Sequence, residues 1–155
     1  MISVGIPGYR EFKFENVVFD YNGTLAVDGR IDEYTRQKLI ELSSITNVHI
    51  LTADTHGSVK KQCEGLGAII MTFPNNEAAK HKRVIVENLK GEKICVGNGF
   101  NDIGMCDIAD LSVAVVGEEG CSGKLISCCD IVVQSREDLF NLFFNIDRIK
   151  ATLRR

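Results

Sequence analysis

The chain has 155 residues, 45% of them hydrophobic and 25% charged, with a formal net charge of −3. This length suits one domain around a single core, and the mild negative balance, without any basic run, argues against nucleic acid as the main partner. The opening MISVGIPGYREFKF has no charged head before an apolar stretch, and no apolar run is long enough for a bilayer, so a cytoplasmic protein without a membrane partner is expected.

ISVGI and YREFKF flank Pro7-Gly8, a turn dipeptide, and predict a small hairpin within residues 1–15. ENVVFD predicts a strand over residues 16–20. Asp28-Gly29 is a type I′ turn signal, so a second short hairpin is expected over residues 25–31. A helix over 32–44 follows, then strands over 47–52 and 67–73, and a helix over 76–90 entered through Pro74-Asn75-Asn76. Strands over 93–97, 111–116 and 130–133 complete the apolar runs. Residues 136–153 predict a last helix, with Leu139, Leu142, Phe143 and Ile146 at 3.6-residue spacing and Phe140 and Phe144 widening the stripe. Core packing is the simpler use of that stripe; a subunit interface is the sharper one. The alternation of short apolar runs with helical stretches predicts an α/β protein, a parallel sheet covered on both faces.

Six cysteines, Cys63, Cys95, Cys106, Cys121, Cys128 and Cys129, form no C-x-x-C pair, and no His stands at zinc-ligand spacing from them. They read as reduced thiols used for packing. His49 lies in a strand pattern and reads as a packed or edge residue, His56 as a loop residue, and His81 as the exposed side of its helix.

In open parallel sheets ligands bind beyond the carboxyl ends of the strands. Those ends supply Asp20, Asn22, Gly23 and Thr24 after the first buried strand, Thr52, Ala53 and Asp54 after the second, and Gly97-Asn98-Gly99, Asn101 and Asp102 after the fourth. A phosphate site also needs a cation, and Lys80, Lys82 and Lys90 compete for the role. Ile85, Val86 and Leu89 stand three, four and seven residues after Lys82, on one helical face. That face packs on the sheet, which selects Lys82. Asp20, projecting from a strand tip backed by a Gly-Thr turn, can attack phosphorus directly. Mg²⁺ would offset repulsion between carboxylate and phosphate. Thr52 and the backbone after it, at Ala53, together with Gly23, would hold phosphate oxygens, and Lys82 would neutralise charge.

DYNGT, LTAD and KRVIVENLKGEKICVGNGFND, in that order, resemble the motifs of the haloacid dehalogenase-like superfamily. Within it the chain is similar to small soluble proteins related to the phosphorylation domain of P-type ATPases. The resemblance covers nearly the whole chain. It implies a Rossmann-like three-layer sandwich with no large cap, the short hairpin at 25–31 standing in its place. It implies Asp20 as the phosphorylated nucleophile, Thr52 on the phosphate, Lys82 as the motif lysine, and Mg²⁺ held by Asp20, the Asn22 backbone carbonyl, Asn98 and Asp102. In some capless relatives a neighbouring subunit closes the cleft, so a homo-oligomer, dimer or tetramer, is expected, acting on a small phosphorylated substrate.

Two positions depart from the pattern. Superfamily phosphatases carry Asp two residues after the nucleophile as general acid and base, and this chain has Asn22. P-type ATPases have Thr there, and their aspartyl phosphate persists longer. General acid–base help is worth about 10²–10⁴ in rate, so a slow phosphohydrolase is expected, slowest on poor leaving groups. Asn98 replaces the first Asp of G-D-G-x-N-D, so weakened Mg²⁺ affinity is expected. These amides also support a rival reading, a non-catalytic phosphate- or nucleotide-binding oligomeric regulator on the same fold. Other rivals fit less well. Gly97-Asn98-Gly99 has Asp102 where a dinucleotide fingerprint needs its third Gly, no P-loop motif is present, and a receiver domain would keep an acidic pair after the first strand.

Overall fold

The computed structural model describes residues 1–54 and 56–155. β1 (Ile2–Gly5) and β2 (Glu11–Asp20) form the opening hairpin, turning at Pro7-Gly8 with Ile6 and Arg10 joined by a 2.9 Å backbone hydrogen bond. The chain continues through α1 (Glu33–Ser43), β3 (Asn47–Thr52), α2 (Ser58–Gln62), β4 (Ile69–Thr72), α3 (Ala78–Asn88) and β5 (Glu92–Gly97). A 3₁₀ turn (Phe100–Asp102), α4 (Ile103–Asp107), β6 (Leu111–Val115), α5 (Gly123–Cys128), β7 (Ile131–Val133), α6 (Arg136–Phe144) and α7 (Asp147–Leu153) follow. The sheet order is β4-β3-β2-β5-β6-β7, all parallel, with β1 antiparallel on β2. This is the three-layer, mostly parallel sandwich expected from the sequence.

Side chains alternate across β2, and this alternation positions the chemistry. Val17 and Phe19 belong to the core on the α1/α6/α7 face, while Val18 packs on the other face with Val86, Met105 and Leu125. Asp20, next in the Val18 series, therefore emerges on the α3 face, at the carboxyl edge. Phe19 is held from below by Phe140 and Phe143, with ring centroids 6.2 and 6.0 Å away.

Several elements differ from the sequence reading. Strand β2 is one ten-residue strand rather than two pieces, with an irregularity between Phe14 and Asn16 only in its pairing to β5. Helix α3 begins at Ala78, because Glu77 takes a left-handed conformation at φ 57°. The last helix, expected over 136–153, is two: Asn145 leaves the helical region at φ −131°, ψ 78°. That break turns α7 onto β1, buries Ile149, and brings the Arg155 N–H to the Pro7 carbonyl at 2.9 Å. Helices α2, α4 and α5 are five or six residues long, too short to leave a readable period.

Between β2 and α1, Val27 and Arg30 exchange backbone hydrogen bonds of 2.9 and 3.0 Å. Asp28 and Gly29, at φ 50° and 77°, form the type I′ turn between them. Tyr21 and Gln62 side chains both donate to the Gly29 carbonyl, tying this turn to α2.

Phe140 is fully buried and meets the rings of Phe19, Phe143 and Tyr34. Phe140→Ala is expected to cost about 3–5 kcal/mol in urea denaturation; a loss under about 1 kcal/mol would show that this layer does not support β2.

Candidate active site

The turn after Asp20 is built to hold a carboxylate at the sheet edge. Leu25 and Ala26 both donate to the Tyr21 carbonyl at 3.0 Å, and Gly23 donates to Ala26 at 2.9 Å. Gly23 has φ 78°, and a Cβ there would lie 2.3 Å from Asn98 Nδ2. The glycine thus lets the Asn98 loop press against this turn. The Thr24 hydroxyl lies 3.1 Å from both Asp20 Oδ2 and Asn98 Oδ1. It has one proton to give, so one of those two oxygens is left without it at any moment.

Lys82 comes from the second turn of α3 and is only 2% exposed. Its ammonium donates to Asp20 Oδ1 at 2.6 Å, Asp102 Oδ1 at 2.7 Å and Asn101 Oδ1 at 3.1 Å. Asp102 is fully buried, and its other oxygen accepts from the N–H groups of Asn98 (3.1 Å) and Gly99 (2.9 Å). A Cβ on Gly97 would stand 2.5 Å from that oxygen, which explains the glycine. One ammonium thus faces two carboxylates in a buried place. Burial raises the Asp20 pKa, Asp102 raises it further, and Lys82 only partly opposes them, leaving it at about 7. Burial would lower Lys82, but the two carboxylates prevail and hold it above its ordinary range.

A cleft of about 240 Å³ opens over this cluster. It is lined by the expected Asp20, Asn22, Thr52, Ala53, Lys82 and Asn98. Two expected residues stand elsewhere. Asp102 lies behind Lys82 with both oxygens engaged, so here it steadies the lysine and the 98–99 backbone and offers no oxygen to the cleft. The Gly23 N–H is spent on Ala26, so this residue seats Asn98 and offers no donor for phosphate. Sequence reasoning missed Phe73, Asn75 and Ala78, which also line the cleft; they follow β4 or open α3 and belong to no recognisable motif. Asn101, already noted at a strand end, joins them through Lys82.

A larger cavity, about 500 Å³, lies between the ends of β6 and β7 and the starts of α1 and α6. Its central cation, Arg136, is already paired to Glu118 at 2.9 Å and has Asp32 at 3.7 Å, so the chemistry is assigned to the smaller cleft. Among the described residues no three His, Cys, Asp or Glu side chains gather to hold a metal. His49 is buried and its Nε2 meets Asn16 Oδ1 at 2.9 Å, with its pKa lowered by burial. His81 stacks on Phe73 at 6.0 Å between ring centroids. The six cysteines are free thiols, and Cys106 is raised by its contact with Cys129 and by burial.

No protein-family model matches the chain. It is 42% identical over 87 residues to the uncharacterized protein MJ0073 of Methanocaldococcus jannaschii, covering 53% of this chain and 91% of that protein. It is 32% identical over 57 residues to the phospholipid-transporting ATPase neo1 of Schizosaccharomyces pombe, a match that spans 37% of this chain but 6% of the ATPase. The fold matches the cobalt-bound deoxy-D-mannose-octulosonate 8-phosphate phosphatase of Haemophilus influenzae, with TM-score 0.67, 13% identity, and 90% of this chain and 92% of that one covered. It also matches the octulosonate 8-phosphate phosphatase of Moraxella catarrhalis, solved with magnesium, phosphate and KDO, with TM-score 0.63, 16% identity, and 91% and 94% covered. The chain belongs to one family with the Methanocaldococcus protein, and its fold is that of these two phosphatases of known structure.

The raised Asp20 pKa has a consequence for stability. Folded Asp20 holds its proton more tightly than the unfolded chain does, so its contribution is fully present below the ordinary aspartate value of 3.8 and is lost as pH rises through about 7. In metal-free buffer Asp20→Asn is therefore expected to stabilise the fold relative to wild type, increasingly from pH 5 to pH 8, reaching about 1–3 kcal/mol. Denaturant titrations at several pH values check this; a difference independent of pH, or a less stable variant at pH 8, contradicts it.

Proposed function

We propose that the chain is a Mg²⁺-dependent phosphohydrolase working through an aspartyl phosphate on Asp20. The observation that carries this reading is the placement of Asp20, the one carboxylate among the described residues lining the cleft, at a strand tip beside Lys82 and Thr52. The Thr52 hydroxyl oxygen accepts from the Asp54 N–H at 3.1 Å, which leaves its own proton free for a phosphoryl oxygen. The Ala53 backbone lies beside it on the cleft wall. Lys82 holds one oxygen of Asp20 and keeps positive charge where the phosphoryl group would enter. Asp102 and Asn101 fix the lysine in turn.

The oxygens present suit a hard cation. Asp20 Oδ2 and Asn98 Oδ1 share a single hydroxyl proton, and the Asn22 carbonyl accepts no backbone hydrogen bond among the described residues. These three would hold Mg²⁺, with Asp102 acting on it only through Lys82 and the loop. When bound, the cation supplies the positive charge that the buried cluster lacks. With a single carboxylate in the set, affinity is expected to be weak. The phosphatases of known structure that share this fold act, by their names, on octulosonate 8-phosphate, and the Moraxella structure contains magnesium and phosphate. They support a small phosphorylated substrate here. Phe100, 69% exposed between cleft-lining Gly99 and Asn101, supports a homo-oligomer in which a second copy covers this rim.

With Mg²⁺ and an aryl phosphate, wild type is expected to turn over and Asp20→Asn to lose about 10³-fold or more. Equal rates would remove Asp20 from the reaction. Absence of turnover in wild type, with phosphate binding intact, would favour the non-catalytic binding protein that the amides at Asn22 and Asn98 also suit.

A further inference from the structure

The thiols are reactive groups that the cleft does not use, and several of them share one place. On the α3/α4/α5 face of the sheet, Cys95 packs with Cys106, Cys121 and Cys129. Cys95 on β5 stands in register with Ser112 on β6, the two backbones about 4.8 Å apart. Ser112, two residues before Ala114, points to the same face. Its hydroxyl accepts from the Asp130 N–H at 3.0 Å and donates to Asp130 Oδ2 at 2.8 Å. These bonds seat the end of α5, and with it Cys129, on the strand. Cys106, on α4, closes over this point and meets Cys129. The two thiols differ in access and in acidity. Cys106 is 3% exposed, and Cys129 is only half-buried. The Cys106 thiol donates to Cys129 and holds it below the usual thiol range; burial opposes this and the Ser112 hydroxyl adds to it. The outer sulfur is thus the readier nucleophile, with a second thiol already against it.

We propose that Cys129 and Cys106 form a redox-active pair, which a hydroperoxide converts to an intramolecular disulfide. In the first step the Cys129 thiolate sulfur attacks the terminal oxygen of the hydroperoxide and the O–O bond breaks. The departing oxygen keeps the electron pair and takes a proton from solvent, and Cys129 is left as a sulfenic acid. In the second step the Cys106 sulfur bonds to the Cys129 sulfur and the S–O bond breaks. The hydroxyl leaves as water, carrying the Cys106 proton. The two sulfurs together give up two electrons, and hydrogen peroxide is reduced to two waters. The link joins α4, which begins directly after Asp102, to the end of α5. It therefore fastens the segment that carries the carboxylate behind Lys82. The other thiols are placed less well for this. Cys121 turns toward the Ser122 carbonyl at 3.9 Å, and Cys128 is exposed and belongs to neither core cluster.

The test treats the reduced protein with hydrogen peroxide, unfolds it in an alkylating reagent, and weighs it. The expected product carries two fewer alkyl groups than the reduced chain with its six thiols. Dithiothreitol is expected to restore both, and digestion to yield a fragment joining Cys106 to Cys129. Cys128→Ser is expected to form the same product at the same rate. Cys129→Ser is expected to lose its thiols at least about tenfold more slowly. Cys106→Ser, with Cys106→Ala as an apolar alternative for this buried position, is expected to stop at a sulfenic acid on Cys129 that dimedone traps. Six alkylated thiols in wild type after peroxide would overturn the inference. So would a disulfide that persists in Cys129→Ser, or one that joins two chains through Cys128.

Discussion

One ammonium shared by two buried carboxylates governs this structure. Lys82 reaches Asp20 and Asp102 at 2.6 and 2.7 Å from a place almost closed to water. A buried charge without a partner is expensive, and among the described residues Lys82 is the one cation between these two carboxylates. The cluster therefore fixes the start of α3, the tip of β2 and the loop after β5 relative to one another. It also leaves an unbalanced negative charge. Burial and the neighbouring Asp102 together raise Asp20, and the proposed function uses the cleft for a cation and an incoming phosphoryl group.

The amides around the cleft alter this balance without altering the frame. Asn98 still meets Thr24 and still packs over Gly23, so the loop keeps its place while contributing no charge. Asn22 lines the cleft but has no proton to exchange. Under the proposed function, such a cleft would orient a phosphoryl group with little acid–base help. The frame is that of a phosphatase fold; the proton chemistry is thinner than that frame allows.

Much of this was legible in the sequence, and the reasons are local. The stop at Asp20 was visible because a buried strand gives way to Gly23-Thr24, and the choice of Lys82 followed from the helical face it shares with Val86, which is buried in the structure. The parallel order of the sheet followed from strands and helices in alternation. The role of Asp102 was not legible. Its spacing from Gly97 shows that it is near the strand end, but only packing shows that it faces back toward Lys82. The break at Asn145 was hidden because the apolar stripe continues into Ile146, and the reason to bend lies in β1, more than a hundred residues earlier in the chain. Phe73 and Asn75 escaped notice because they reach the cleft from the end of β4 without any motif around them.

The most direct test of the account follows the Asp20 carboxyl carbon by NMR across pH, first without metal and then with Mg²⁺. An inflection near 7 in the metal-free protein, moving down when Mg²⁺ is added, is the predicted result. An inflection in the ordinary carboxylate range, unmoved by Mg²⁺, would mean that Lys82 alone balances the site and that no cation is drawn to it.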